Sequence, residues 1–168
     1  MDVGQLLVDA FNRIRDEVHE VVDGLTPDQL AERPGAEANS VAWLVWHLAR
    51  VQDDHVADVA DRGQVWTSEG WAARFGLPFG DADTGWGHTP EEVAAVRVGD
   101  PALLTGYLDA VHERTTSFVR GLSPGDLDRV VDERWDPPVT LGVRLVSVVN
   151  DDGQHVGQAA YVRGLLDG

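Results

Sequence analysis

The chain has no cysteine and no lysine, one methionine, and no apolar run near the ~20 residues that cross a bilayer. Without cysteine there is no disulfide, no thiolate metal ligand and no protein thiol nucleophile. Any metal must be held by His, Asp or Glu, and any thiol chemistry must take its sulfur from a small molecule. Without lysine there is no Schiff base, since all 13 basic residues are arginine. An arginine-only basic set, beside abundant Ala, Gly, Val and Asp, fits the codon bias of a GC-rich genome. Positive charge is also scarce: 13 basic against 29 acidic residues give a formal net charge of −16. Such a surface repels nucleic-acid phosphates and anionic membranes, so neither is expected as a partner. The opening MDVGQLLVDAFNRIRDEV carries acids where a secretory signal would be basic, and a cytoplasmic protein is expected.

What is present is helical periodicity. Leu7, Phe11, Ile14, Val18, Val21 and Val22 predict a helix over 3–24 that stops at Gly24. Thr26-Pro27-Asp28-Gln29 reads as a capping box opening a short helix that stops near Pro34. Asn39 or Ser40 caps a second long helix with Val41, Leu44, Leu48 and Val51 on its apolar stripe. A third long helix starts at Asp100-Pro101, with Leu104, Leu108, Val111, Phe118 and Leu122 at helical spacing. The stretch VVDERWDPPVTLG breaks this period and reads as a short hairpin. Thr140 or a neighbour then caps a last helix over 141–166. Residues 61–100 hold Trp66, Trp71 and Trp86, a predicted helix at 68–75 and a second capping box at Thr89-Pro90-Glu91-Glu92. So much tryptophan marks a folded lid rather than a disordered linker. The expectation is an all-α four-helix bundle with a long Trp-rich connection between helices 2 and 3, as one domain over 1–168.

Two of these helices place polar groups where apolar ones belong. On the last helix the stripe runs Leu141, Leu145, Val148, His155, Ala159, Val162 and Leu166, stepping through Asp151 or Asp152. Asp151 and His155 are four apart, so a carboxylate and an imidazole stand side by side. His47 sits inside the stripe of the second long helix. Two imidazoles and one carboxylate suit Zn2+, Ni2+, Fe2+ or Mn2+, with positions left for water or substrate. The ordinary alternatives are a helical ion pair for Asp151 and His155 and a satisfied core histidine for His47. His55, about 80° around the helix, could replace either histidine. His19, His88 and His112 read as surface or loop residues, and Trp43 and Trp46 as core.

The segments SVAWLVWHLARVQDDH and DDGQHVGQAAYVRGLLDG resemble the DinB/YfiT-like superfamily, nearest its DUF664 branch and related to mycothiol-dependent maleylpyruvate isomerase N-terminal domains. The resemblance covers essentially the whole chain. It implies a four-helix bundle holding a divalent metal, zinc foremost, through His47, Asp151 and His155. Many members have histidine at the position of Asp151 and the isomerases have glutamate. Aspartate is shorter, which leaves Asp152 as an alternative ligand. The resemblance further implies a metal-dependent thiol S-transferase or isomerase that uses a small thiol such as mycothiol on a small electrophile. Arg134 and Trp135 are then candidates for the pocket border and Gln158 for orienting the bound molecule. Rival expectations are a non-catalytic metal-binding stress or interaction protein and a metal-assisted hydrolase. The donor set also occurs in non-haem iron oxygenases, against which an all-helical fold argues. A homodimer is left open.

Overall fold

A computed structural model describes residues 1–166 of the chain; the expected domain runs to 168, so its last two residues lie outside the described ones. Four long helices dominate: α1 (Val3–Val22), α3 (Val41–Val59), α7 (Pro101–Val119) and α8 (Leu141–Leu166). Short helices α2 (Pro27–Ala31), α4 (Val65–Ser68), α5 (Trp71–Phe75) and α6 (Pro90–Ala95) lie in the connections. The long helices close a ring in which α3 packs on α8, α8 on α1, α1 on α7 and α7 on α3. This is the expected four-helix bundle, with α4, α5 and α6 inside the long connection between α3 and α7. One contiguous apolar core draws on all four long helices and on the connection.

The boundaries follow from local chemistry. Asp2, Thr26, Ser40, Thr89 and Asp100 each accept a hydrogen bond from a backbone N–H of the first turn they cap. The boxes predicted at Thr26 and Thr89 are both closed by their Gln29 and Glu92 side chains. Gly24, with φ of +74°, ends the first helix as the sequence predicts. The expected hairpin is an antiparallel pair, β1 (Val130–Asp132) on β2 (Val139–Thr140).

Two expectations need correction. The helix predicted over 68–75 is split into α4 and α5, because Gly70 adopts φ of +75° between them. On α8 the buried stripe is Leu141, Leu145, Val148, Asp152, Val156, Ala159 and Val162. His155 therefore sits at its edge rather than in it. Counting every seventh residue back from Val162 enters the stripe at His155, but the buried side of the helix is centred one residue further round. No helix among the described residues is long and apolar enough to cross a membrane.

Candidate metal centre

α3 is nearly all buried along its length, and α8 packs against one side of it. That packing brings His47 of α3 to Asp151 and His155 of α8. One donor atom from each lies within 4.8 Å of the other two. Two donors on one ion stand at most about 4.2 Å apart, twice a bond of about 2.1 Å. Sub-ångström side-chain movement therefore closes this cluster on a cation. The two imidazoles meet edge to face with ring centres 4.7 Å apart, and Trp43 stacks on His47 at 4.5 Å.

Each imidazole is oriented by a main-chain oxygen. His47 Nδ1 is 2.5 Å from the Thr84 carbonyl, and His155 Nδ1 is 2.8 Å from the Asp151 carbonyl. A carbonyl only accepts, so Nδ1 carries the proton in both rings, and in the neutral form of each ring Nε2 keeps a free lone pair. Asp151 Oδ2 lies 3.3 Å from His155 Nδ1, yet that N–H is aimed at the carbonyl. This carboxylate oxygen is buried and has no hydrogen-bond partner. Two bare nitrogens beside an orphaned carboxylate oxygen form a donor set that fits a divalent cation.

The electrostatics favour a neutral His47 and an ionised Asp151, whereas at His155 a proton competes with the cation. Burial lowers the His47 pKa, outweighing the opposing bond to Thr84, so the ring stays neutral. Burial pushes the Asp151 carboxyl up, but contacts with His155, and then the charges of His47 and His55, bring it below its ordinary value. Burial likewise pushes His155 down, and Asp151 more than reverses this.

Asp152, the alternative ligand, lies apart from this cluster. It is 0% exposed, and neither carboxylate oxygen has a hydrogen-bond partner. Burial, and then the charge of Asp151, raise its pKa well above the ordinary carboxylate value. The folded chain thus holds Asp152 protonated, whereas the unfolded chain ionises it above about pH 4. Stability tied to Asp152 is full below that pH and is lost as pH rises through the folded value. In metal-free protein, Asp152→Asn is expected to melt several degrees above wild type at about pH 7, the gap closing toward about pH 4. Thermal melts across that range check it; a variant that melts below wild type at neutral pH would show that the carboxylate has a stabilising partner.

The loop that supplies Thr84 is held by groups the sequence reading missed. Arg50, 0% exposed, donates through Nε to the Asp83 carbonyl at 3.1 Å and through Nη2 to the Asp81 carbonyl at 3.2 Å. Its Nη1 donates to Gln64 Oε1 at 2.9 Å and to Tyr107 Oη at 3.3 Å, and stands 3.8 Å from Asp53. Asp53 accepts from the backbone N–H groups of Val65 and Trp66 and from Tyr107. Gly85, with φ of +89°, lets the loop lie against α3: a Cβ there would be 2.8 Å from Trp46 and 3.0 Å from His47 Nδ1.

His88 is not the plain loop residue expected from sequence. Its side chain is only 4% exposed and packs against Trp46 and Phe79. The Trp43 indole N–H donates to His88 Nδ1 at 3.1 Å, and His88 Nε2–H donates to Asp83 at 3.0 Å. A charged residue inside the apolar run of α3, Arg50, was the one sequence signal for this network; nothing local marked the loop.

The other expected residues are placed as follows. Arg134 grips Asp132 through Nε and Nη2 at 2.9 and 2.7 Å, and Trp135 is 65% exposed. No hydrogen bond, ion pair or ring contact joins either to His47, Asp151 or His155. Asp132 also meets Arg144, whose Nη1 is 3.1 Å from His55 Nδ1. His55 thus belongs to a neighbouring cluster. Gln158 is exposed and lines a groove along α8. His19 bonds Asp109, and His112 bonds Asn12, both at the surface.

Comparison with known proteins agrees with this architecture. A crystal structure of a conserved protein from Enterococcus faecalis is 36% identical, with a TM-score of 0.91 over 97% of this chain and 96% of that one. No curated protein matches the sequence. The family model of the DinB superfamily matches residues 10–159. The chain belongs to the DinB superfamily.

Proposed function

We propose that this chain is a divalent-metal-dependent thiol S-transferase or isomerase, with His47, Asp151 and His155 as the metal ligands. The buried, partnerless Asp151 Oδ2, set beside two imidazoles with bare Nε2 atoms, carries the reading. Zinc suits these donors best, and Ni2+, Fe2+ and Mn2+ share the preference. The ion would act as a Lewis acid that lowers the pKa of a coordinated thiol. With no cysteine in the chain, that thiol is a small molecule. The resemblance to the DUF664 branch and to mycothiol-dependent isomerases, together with the arginine-only composition, favours mycothiol.

The protein's part is positional. Three protein donors would hold the ion and would leave coordination positions for thiol and substrate. The Thr84 and Asp151 carbonyls fix both imidazoles before anything binds. Trp86, exposed and next in sequence to Gly85, is proposed to meet the electrophile. In the transferase reaction the thiol loses its proton to water, sulfur forms a bond to the electrophilic carbon, and the leaving group departs with its electron pair. Arg134, which grips the Asp132 that meets Arg144, and the exposed Trp135 are proposed to meet polar groups of the thiol.

Incubation with mycothiol and monochlorobimane tests this. Conjugation is expected to depend on enzyme, to stop with chelator and to return with Zn2+. Conjugation indifferent to chelator would refute the mechanism, and metal binding without any turnover would favour a non-catalytic role.

A further inference from the structure

We infer that the groove between the start of α3 and the second half of α8 is a subsite for the uncharged, apolar body of a small-molecule substrate. The groove is about 570 Å³ and is lined by ten residues, none of them charged. One residue in four of this chain is charged and the net charge is −16, so an uncharged concavity stands out. A charged ligand would find no counter-ion there, whereas a neutral apolar one sheds water against Pro34, Ala38 and the Tyr161 ring. Gln154 and Gln158 supply a few amide hydrogen bonds. The volume falls in the range of about 300–1,000 Å³ typical of small-molecule sites.

The glycines point the same way. Gly153 and Gly157 stand one turn apart on this face of α8, and glycine is a poor helix former. A Cβ at either position would meet nothing within 4 Å. Packing inside the chain therefore does not require glycine at these points, and both keep the floor of the groove clear.

The groove is lined by helix neighbours of the three donors, though by none of the donors themselves. Leu44 lies one turn before His47 on α3, and Gln154 and Gln158 flank His155 on α8. One helical turn is about 5.4 Å, so the inferred orientation points the near end of a seated molecule toward the donors. This orientation rests on the function proposed above; the binding preference of the groove does not. The two together describe a substrate with a neutral apolar body and its electrophilic carbon at one end.

The test uses N-phenyl-1-naphthylamine, a neutral fluorophore, with chelator-treated protein, so that failure of the metal reading cannot mask the result. Wild type is expected to bind one probe per chain. Gly157→Phe, which fills the groove from open space, is expected to weaken binding at least about tenfold, and Gly164→Phe, outside the groove, to leave it unchanged. Anilinonaphthalenesulfonate, with the same rings plus a negative charge, is expected to bind at least about tenfold more weakly than the neutral probe. Equal binding by all three proteins, or equal binding of the two probes, would overturn the proposal. A wild-type dimer in sedimentation that Gly157→Phe dissociates would also overturn it, because a second copy would then cover this face.

Discussion

His155→Ala is expected to lose divalent metal while His112→Ala keeps it. Wild-type protein should carry about one ion per chain, held by two imidazoles and one carboxylate. Removing His155 takes away one of three donors. Affinity should fall at least about 100-fold, beyond what loss of a mere orienting partner costs. The effect is also visible in stability. A ligand at 100 times its dissociation constant stabilises by about 2.7 kcal/mol, so Zn2+ should raise the wild-type melting temperature by about 5–10 °C. The rise should vanish in His155→Ala and persist in His112→Ala, whose ring bonds only Asn12 at the surface. Equal metal content and equal melting shifts in the two variants would remove the ligand assignment.

Arg50→Met should be the most damaging single change away from the donors. It leaves the buried Asp53 carboxylate without its cation, and it frees the part-buried Asp81 and Asp83 carbonyls. Breaking a buried pair by removing one partner costs about 3–5 kcal/mol. For a chain of this size that lowers the melting temperature by about 10 °C. The same change should weaken metal binding about tenfold or more, because the loop that carries the Thr84 carbonyl orients His47. Thermal melts with and without Zn2+ separate the two effects. A variant melting within about 2 °C of wild type would contradict the role given to this network.

The bundle was legible because its signals are local and repeated. Apolar spacing marks each long helix, and Thr26, Thr89 and Asp100 announce three helix starts that the structure keeps. The donor set was legible for a similar reason, since Asp151 and His155 share one turn and His47 interrupts an apolar helix. What stayed hidden depends on contacts distant in sequence. Nothing near Thr84 indicates that its carbonyl meets His47, thirty-seven residues earlier in the chain. His88 gave no helical or ligand spacing, and its burial depends on Trp43, Trp46 and Phe79 closing around it. The choice between Asp151 and Asp152 was also out of reach. Adjacent helix positions differ by about 100°, and which of them faces His47 is decided by how α8 is rotated against α3.

The central claim is that these three side chains grip a single cation. Crystals grown with Zn2+ and measured above and below the zinc absorption edge test it directly. The account predicts one strong anomalous peak per chain, bonded to His47 Nε2, His155 Nε2 and an Asp151 carboxylate oxygen, with at least one further coordination position open to solvent. A peak at other residues, or no peak at this cluster, would contradict it.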